Sequence, residues 1–125
     1  MNKVDYFHKI PIWRDSNRLL VEVEKKVRGF PRYHKYTIGT ELRKSSINVC
    51  RFLVRAYKET EKKSKWVEKL NTEIEDLKVL LYVAKEIKAF NNFNDFKEIT
   101  DITMSIGKQS GRWLKNLNSI SNQEI

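Results

Sequence analysis

Glycine and proline are scarce in this chain of 125 residues, with four of the first and two of the second. An all-β domain needs repeated tight turns that draw on both, so the shortage argues for long helices instead. A single cysteine, Cys50, rules out an internal disulfide and fits a reducing compartment, from which a cytoplasmic location is expected. The two histidines, His8 and His34, stand alone, with no second histidine at helical ligand spacing and no cysteine pair, so no metal site is expected. A phosphate-binding glycine loop is also missing: Gly107 and Gly111 fall inside a helical pattern, so neither a nucleotide nor any other cofactor is expected. No apolar run approaches the length of a membrane span, and the N-terminal MNKVDYFHKIPIWRD has scattered charges and no secretory apolar core. Neither a targeting segment nor a membrane partner is expected.

What the chain does have is positive charge, unevenly placed. Residues 1–65 hold 17 Lys and Arg against 7 Asp and Glu, a balance of +10, whereas residues 66–125 hold 8 against 9, a balance of −1. Such asymmetry points to a polyanionic partner, with RNA or DNA ahead of an acidic protein.

Four helical patterns share the chain, and its length suits one domain, placed at residues 1–118 with a frayed tail over 119–125. The first helix runs over about 12–28, opened by Pro11 and closed by Gly29 and Pro31. Ile12, Trp13, Leu19, Leu20, Val23 and Val27 form its apolar arc, and Arg14, Arg18, Lys25 and Arg28 its basic back. The second covers about 38–62, begins at Thr37 or Thr40, and buries Ile38, Leu42, Val49, Leu53 and Ala56. On its outside Lys44, Arg51, Arg55, Lys58 and Lys62 align within about 40° of one line, roughly 27 Å long at the helical rise. After the connection EKKSK, the third covers about 66–90, with Val67, Leu70, Ile74, Leu77, Leu81 and Ala84 inward. Val79, Val83, Ile87 and Phe90 fall away from that arc, and a helix apolar on two faces must bury both, so an oligomer interface is expected there. The fourth, about 94–118, is capped from Asn91–Asn94 and repeats Phe96, Ile99, Ile102, Ile106, Trp113 and Leu117. Gly107 and Gly111, four apart, predict a tight crossing. The fold class is therefore all-α, an antiparallel up-down-up-down four-helix bundle.

No catalytic constellation emerges, so the chain is not expected to be an enzyme. Cys50 lies beside apolar positions and reads as a buried small hydrophobe rather than a reactive thiol. Glu73, Asp76 and Glu86 near Lys69 and Lys85 read as solvated helix faces. The five-cation line is the strongest functional signal, because uncompensated cations in a row repel one another unless phosphates neutralise them. The corner FPRYHKYTIG admits two readings. Its rings and cations suit the stacking of unpaired bases, but aromatics at a helix start more often staple the chain to the bundle, and the structural reading is preferred.

The stretches FPRYHKYTIGTELRKSSINVCRFLVRAY, LNTEIEDLKVLLYVAKEI and ITDITMSIGKQSGRWLKN, in that order, resemble the accessory variability determinant proteins of diversity-generating retroelements. The rival resemblance is to the four-helix-bundle proteins encoded in ribosomal-RNA intervening sequences, which carry a Ser-Ile-Pro-Ser-Asn-Ile-Ala-Glu-Gly-like stretch after the Phe-Pro loop. Here Ser46-Ile47-Asn48-Val49-Cys50-Arg51-Phe52-Leu53 lacks the proline and the Glu-Gly, and Gly111-Arg112-Trp113-Leu114-Lys115 looks more like the retroelement family. That resemblance implies a homopentameric barrel of bundles that binds a reverse transcriptase and nucleic acid, supports mutagenic copying of template RNA into cDNA, and catalyses nothing itself. Lys44, Arg51, Arg55 and Lys58 are the expected phosphate contacts, supported by Arg14, Arg18, Lys25 and Arg28. A purely structural bundle meeting an acidic protein is the alternative reading.

Overall fold

The computed structural model describes residues 9–123, with side chains to residue 120. Four long helices account for most of them: α1 at Pro11–Arg28, α3 at Ile38–Lys58, α4 at Lys63–Glu86 and α5 at Phe93–Gln123, with a single-turn α2 at Arg32–Lys35 between the first two. No strand occurs among the described residues.

Each boundary has a local cause. Pro11 takes the first helical position of α1, where its missing N–H costs nothing, and Gly29 closes the helix by donating to Lys26 O. Thr37 caps α3 by position only, because its hydroxyl donates back to the Tyr33 carbonyl, 2.8 Å away. At Asn92 the side-chain oxygen accepts from the Asp95 N–H at 2.9 Å and starts α5. Four boundaries differ from the sequence expectation. α3 stops at Lys58, where Glu59 turns extended, and α4 starts already at Lys63. α4 ends at Glu86 rather than near residue 90, because Lys88 adopts a left-handed φ of 61°. α5 continues to Gln123, through residues expected to fray.

The long helices pack in a closed ring, each touching the two beside it: α1 on α3 and α5, and α4 on α3 and α5. Cross-helix pairs set the directions. Cys50 Sγ meets Ser16 O while Arg43 meets Glu24, and Asn48 meets Glu73 while Arg55 meets Trp66, so consecutive helices run antiparallel. One end of the bundle therefore gathers the start of α1, the end of α3, the start of α4 and the end of α5. The other end holds the corner from Gly29 to Thr37 and the loop from Ile87 to Asn92.

Leu19, Val23 and Val27 of α1, Leu42, Val49 and Leu53 of α3, Leu70, Ile74, Leu77 and Leu81 of α4, and Ile99 and Ile106 of α5 fill the interior. Phe30 seals the corner end, edge-on to Phe90 with centroids 5.0 Å apart. Gly39 lies where α3 enters against α1, and a Cβ there would come within 2.7 Å of Val27 Cγ1. The expected tight crossing at the α5 glycines holds for one of them. A Cβ on Gly107 would meet Ile74 Cγ2 at 3.3 Å, whereas Gly111 faces open space.

Candidate nucleic-acid interface

The four cations on the back of α1 all reach solvent, and each stands beside a carboxylate. Arg14 lies 3.7 Å from Asp15, Arg18 3.8 Å from Glu98, Lys25 3.6 Å from Glu22 and Arg28 3.8 Å from Glu24. Exposed pairs at this range add little stability, and because Glu22, Glu24 and Glu98 are held more closely by Lys26 and Arg43, they cancel only part of the field an approaching phosphate would meet. Underneath, Lys26 bridges Glu22 at 2.8 Å and Glu98 at 3.1 Å. The hydrogen bond from Lys26 holds the Glu22 carboxyl below its usual range.

On α3 the situation is reversed. Lys44, Arg51, Arg55 and Lys58 are exposed, and among the described residues no carboxylate forms an ion pair with any of them. Lys62 leaves the row expected for it, because α3 ends at Lys58 and Lys62 belongs to the connection before α4.

The row leads into further cations that the antiparallel packing brings to the same end. Lys62, Lys65 and Lys69 follow on the connection and α4, and Lys108, Arg112 and Lys115 arrive on α5, all exposed and without ion pairs among the described residues. Between residues 51 and 69 there are seven Lys and Arg against three acids, Glu59, Glu61 and Glu68. Trp66 receives two of the cations, Arg55 with its guanidinium carbon 5.7 Å from the ring centroid and Lys69 with Nζ at 4.7 Å. Lys63 lies between Tyr57 and Trp113, 5.6 and 5.7 Å from their centroids. The EKKSK run was visible in the sequence, but it reads there as a connection. The contribution from α5 left no sequence signal, since it depends on which helix ends beside which.

The second apolar face of α4 is present and altered in membership. Val79, Val83 and Ile87 are exposed, and Tyr82 joins them. Phe90 does not. Beyond the turn at Lys88 it faces inward, packed on Phe30 and Phe96. Glu75, Asp76 and Glu86 border the remaining patch together with Lys78, paired with Glu75, and Lys85, which pairs with Glu86 and lies 4.7 Å from the Tyr82 ring centroid.

The corner also departs from expectation. Of its rings, Phe30 alone is stapled to the core, at 4% exposure, while Tyr33 and Tyr36 are 76% and 66% exposed. His34 packs edge-on to Tyr33 with centroids 5.4 Å apart, and its buried Nδ1 has no hydrogen-bond partner. His8 lies outside the described residues.

Cys50 is a structural thiol. It donates to Ser16 O at 3.5 Å, and burial pushes its pKa up to about 11, far from the thiolate that reactivity requires. A shallow cleft between α1 and α5 is lined by Asp15, Arg18, Glu98, Asp101, Ile102 and Ser105, and its three carboxylates suit no phosphate. Among the described residues no group of His, Cys, Asp and Glu is placed to hold a metal ion, and no helix is long and apolar enough to cross a membrane.

The model of the family described as bAvd-like matches residues 14–117, from the first turn of α1 into the basic end of α5. No curated protein matches the chain.

Proposed function

The chain belongs to the bAvd-like family of accessory, non-catalytic proteins, and from that premise we propose that it is the accessory subunit of a diversity-generating retroelement. In this role it binds the reverse transcriptase and nucleic acid, template RNA and its cDNA, in the cytoplasm and supports mutagenic copying. The observation that carries the nucleic-acid part is the row Lys44, Arg51, Arg55 and Lys58, which has no ion-pair partner among the described residues and opens onto the basic end of the bundle. A line of like charges left uncompensated by the protein's own acids is suited to phosphates, whose bound counterions it displaces. The α1 cations, each beside a carboxylate, contribute less than the row.

Subunits associate through the exposed α4 patch of Val79, Tyr82, Val83 and Ile87, in the homopentamer that the family resemblance implies. At the rim of this patch Lys78 and Lys85 are paired with Glu75 and Glu86, unlike the uncompensated α3 row, so assembly and polyanion binding occupy different faces.

Binding of a labelled RNA across a salt series tests the reading, together with co-purification of the reverse transcriptase. Affinity is expected to fall steeply with salt, with each phosphate-contacting cation contributing about 0.7–0.9 to the logarithmic slope. Reversing Arg51, Arg55 and Lys58 to Glu should abolish binding while helicity and assembly persist. Undiminished binding by that variant at modest salt would sink the assignment. Binding of acidic proteins in place of RNA would favour the interaction-bundle alternative.

A further inference from the structure

We propose that Tyr33 and Tyr36 form a stacking platform for unpaired bases at the entry of the α3 cation row, so that this surface takes single strands in preference to duplexes. The proposal rests on the polyanion reading above and narrows it to one substrate class.

Tyr33 and Tyr36 are the most exposed aromatics among the described residues, ahead of Phe93 at 63% and Tyr82 at 56%. Tyr33 and Tyr36 stand largely in water, yet their backbone is fixed. The Lys35 N–H donates to Pro31 O at 2.9 Å, the Thr37 hydroxyl donates to Tyr33 O at 2.8 Å, and Phe30 anchors the corner on Phe90. Rings carried on a hydrogen-bonded backbone bind a flat apolar partner at a lower ordering cost than rings on an open loop. Their neighbours determine which partner. Arg32 is exposed and Lys35 half-buried, and neither has an ion pair among the described residues. Around the other exposed apolar group, on α4, Lys78 and Lys85 are already paired with Glu75 and Glu86. Aromatic faces beside free cations match a base with its attached phosphate.

Position supplies the second argument. Tyr36 directly precedes the Thr37 cap of α3, the helix whose outer face carries Lys44, Arg51, Arg55 and Lys58. From Tyr36 to Lys58 the path is about 33 Å at the helical rise, enough for several nucleotides. A strand whose bases are unpaired can use both the rings and the row. A duplex keeps its base faces stacked on one another and can use the row alone.

The test compares a fluorescein-labelled oligouridine with an RNA duplex of equal length, binding to the full chain and to two double variants. Tyr33→Ala with Tyr36→Ala should weaken oligouridine binding by about tenfold or more and leave duplex affinity unchanged. Its salt slope should also be retained, because no phosphate contact is removed. Tyr33→Phe with Tyr36→Phe should bind as the unaltered protein does. Both pairs are exposed, so circular dichroism should report the same helicity throughout. Unchanged oligouridine affinity in the alanine variant would overturn the platform. Equal losses on both probes would also overturn it, as would a duplex preference in the unaltered protein. Failure of the unaltered protein to bind either probe would overturn the polyanion reading itself, and the platform with it.

Discussion

The Arg55 guanidinium lies over the Trp66 ring, its central carbon 5.7 Å from the ring centroid, and ties the last turn of α3 to the first turn of α4. Lys69 approaches the same ring, and Phe52 packs beside it at 6.0 Å. The basic end is thus a built structure in which an indole holds two like charges close together.

Trp66→Leu separates that role from simple packing. Leucine preserves apolar contact with Phe52 but has no π face, so two cation–π interactions, each about 0.5–1 kcal/mol at exposed sites, are lost. Urea unfolding should report a stability loss of about 1–2 kcal/mol. Affinity for RNA should change little, since every cation remains. A stability equal to that of the unaltered chain would show that the ring contacts contribute nothing.

The glycines allow opposite outcomes from one type of substitution. Gly39→Ala places a methyl 2.7 Å from Val27 Cγ1 and should destabilise by about 1–3 kcal/mol, as overpacking does. Gly111→Ala meets nothing within 4 Å and should stabilise by about 0.8–1 kcal/mol through helix propensity. Thermal unfolding of the two variants checks both signs.

Glu22 gives a pH dependence of definite direction. Its folded-state pKa is lowered, first by the hydrogen bond from Lys26, so its contribution is fully present above the unfolded carboxylate pKa and is lost as pH falls through the folded value. Lys26 is raised: burial works against its charged form, but the hydrogen bonds to Glu22 and Glu98 prevail. Its contribution is therefore full below the unfolded lysine pKa and is lost as pH rises through the folded value. Glu22→Gln should flatten the acid limb of stability against pH, as measured by denaturant titration at a series of pH values. An acid limb identical to that of the unaltered chain would contradict the linkage.

Val79→Glu with Val83→Glu tests the assembly face. Both positions are exposed, at 62% and 39%, so the bundle should fold as before. Charges placed in the apolar patch should disfavour association, and on the proposed assembly sedimentation should report a monomer in place of the oligomer. An unaltered oligomer would place the interface elsewhere.

Much of the fold was legible because burial in a helix follows a simple period. Val67, Leu70, Ile74, Leu77, Leu81 and Ala84 are inward by spacing alone, and all six are buried in α4. Ends were less legible, since they depend on single backbone states such as the left-handed Lys88, which no side-chain pattern announces. That one residue removed Phe90 from the outer face of α4. The rings of the corner could not be sorted either, because Phe30, Tyr33 and Tyr36 differ in which core element stands opposite them rather than in aromatic character.

By itself the sequence determined the helical class, the inward faces, the positive first half and the family stretches, all of which follow from local periodicity and composition. Which charges cancel was only partly a tertiary matter. Arg14–Asp15, Lys25–Glu22 and Arg28–Glu24 lie within one helix at spacings the sequence already shows, whereas Arg18 met Glu98 only because α5 packs beside α1, and Coulomb interaction depends on that distance through space. The antiparallel return of α5 then brought Lys108, Arg112 and Lys115 to the end where that row finishes, and the turn at α2 left Tyr33 and Tyr36 in water at the end where it begins.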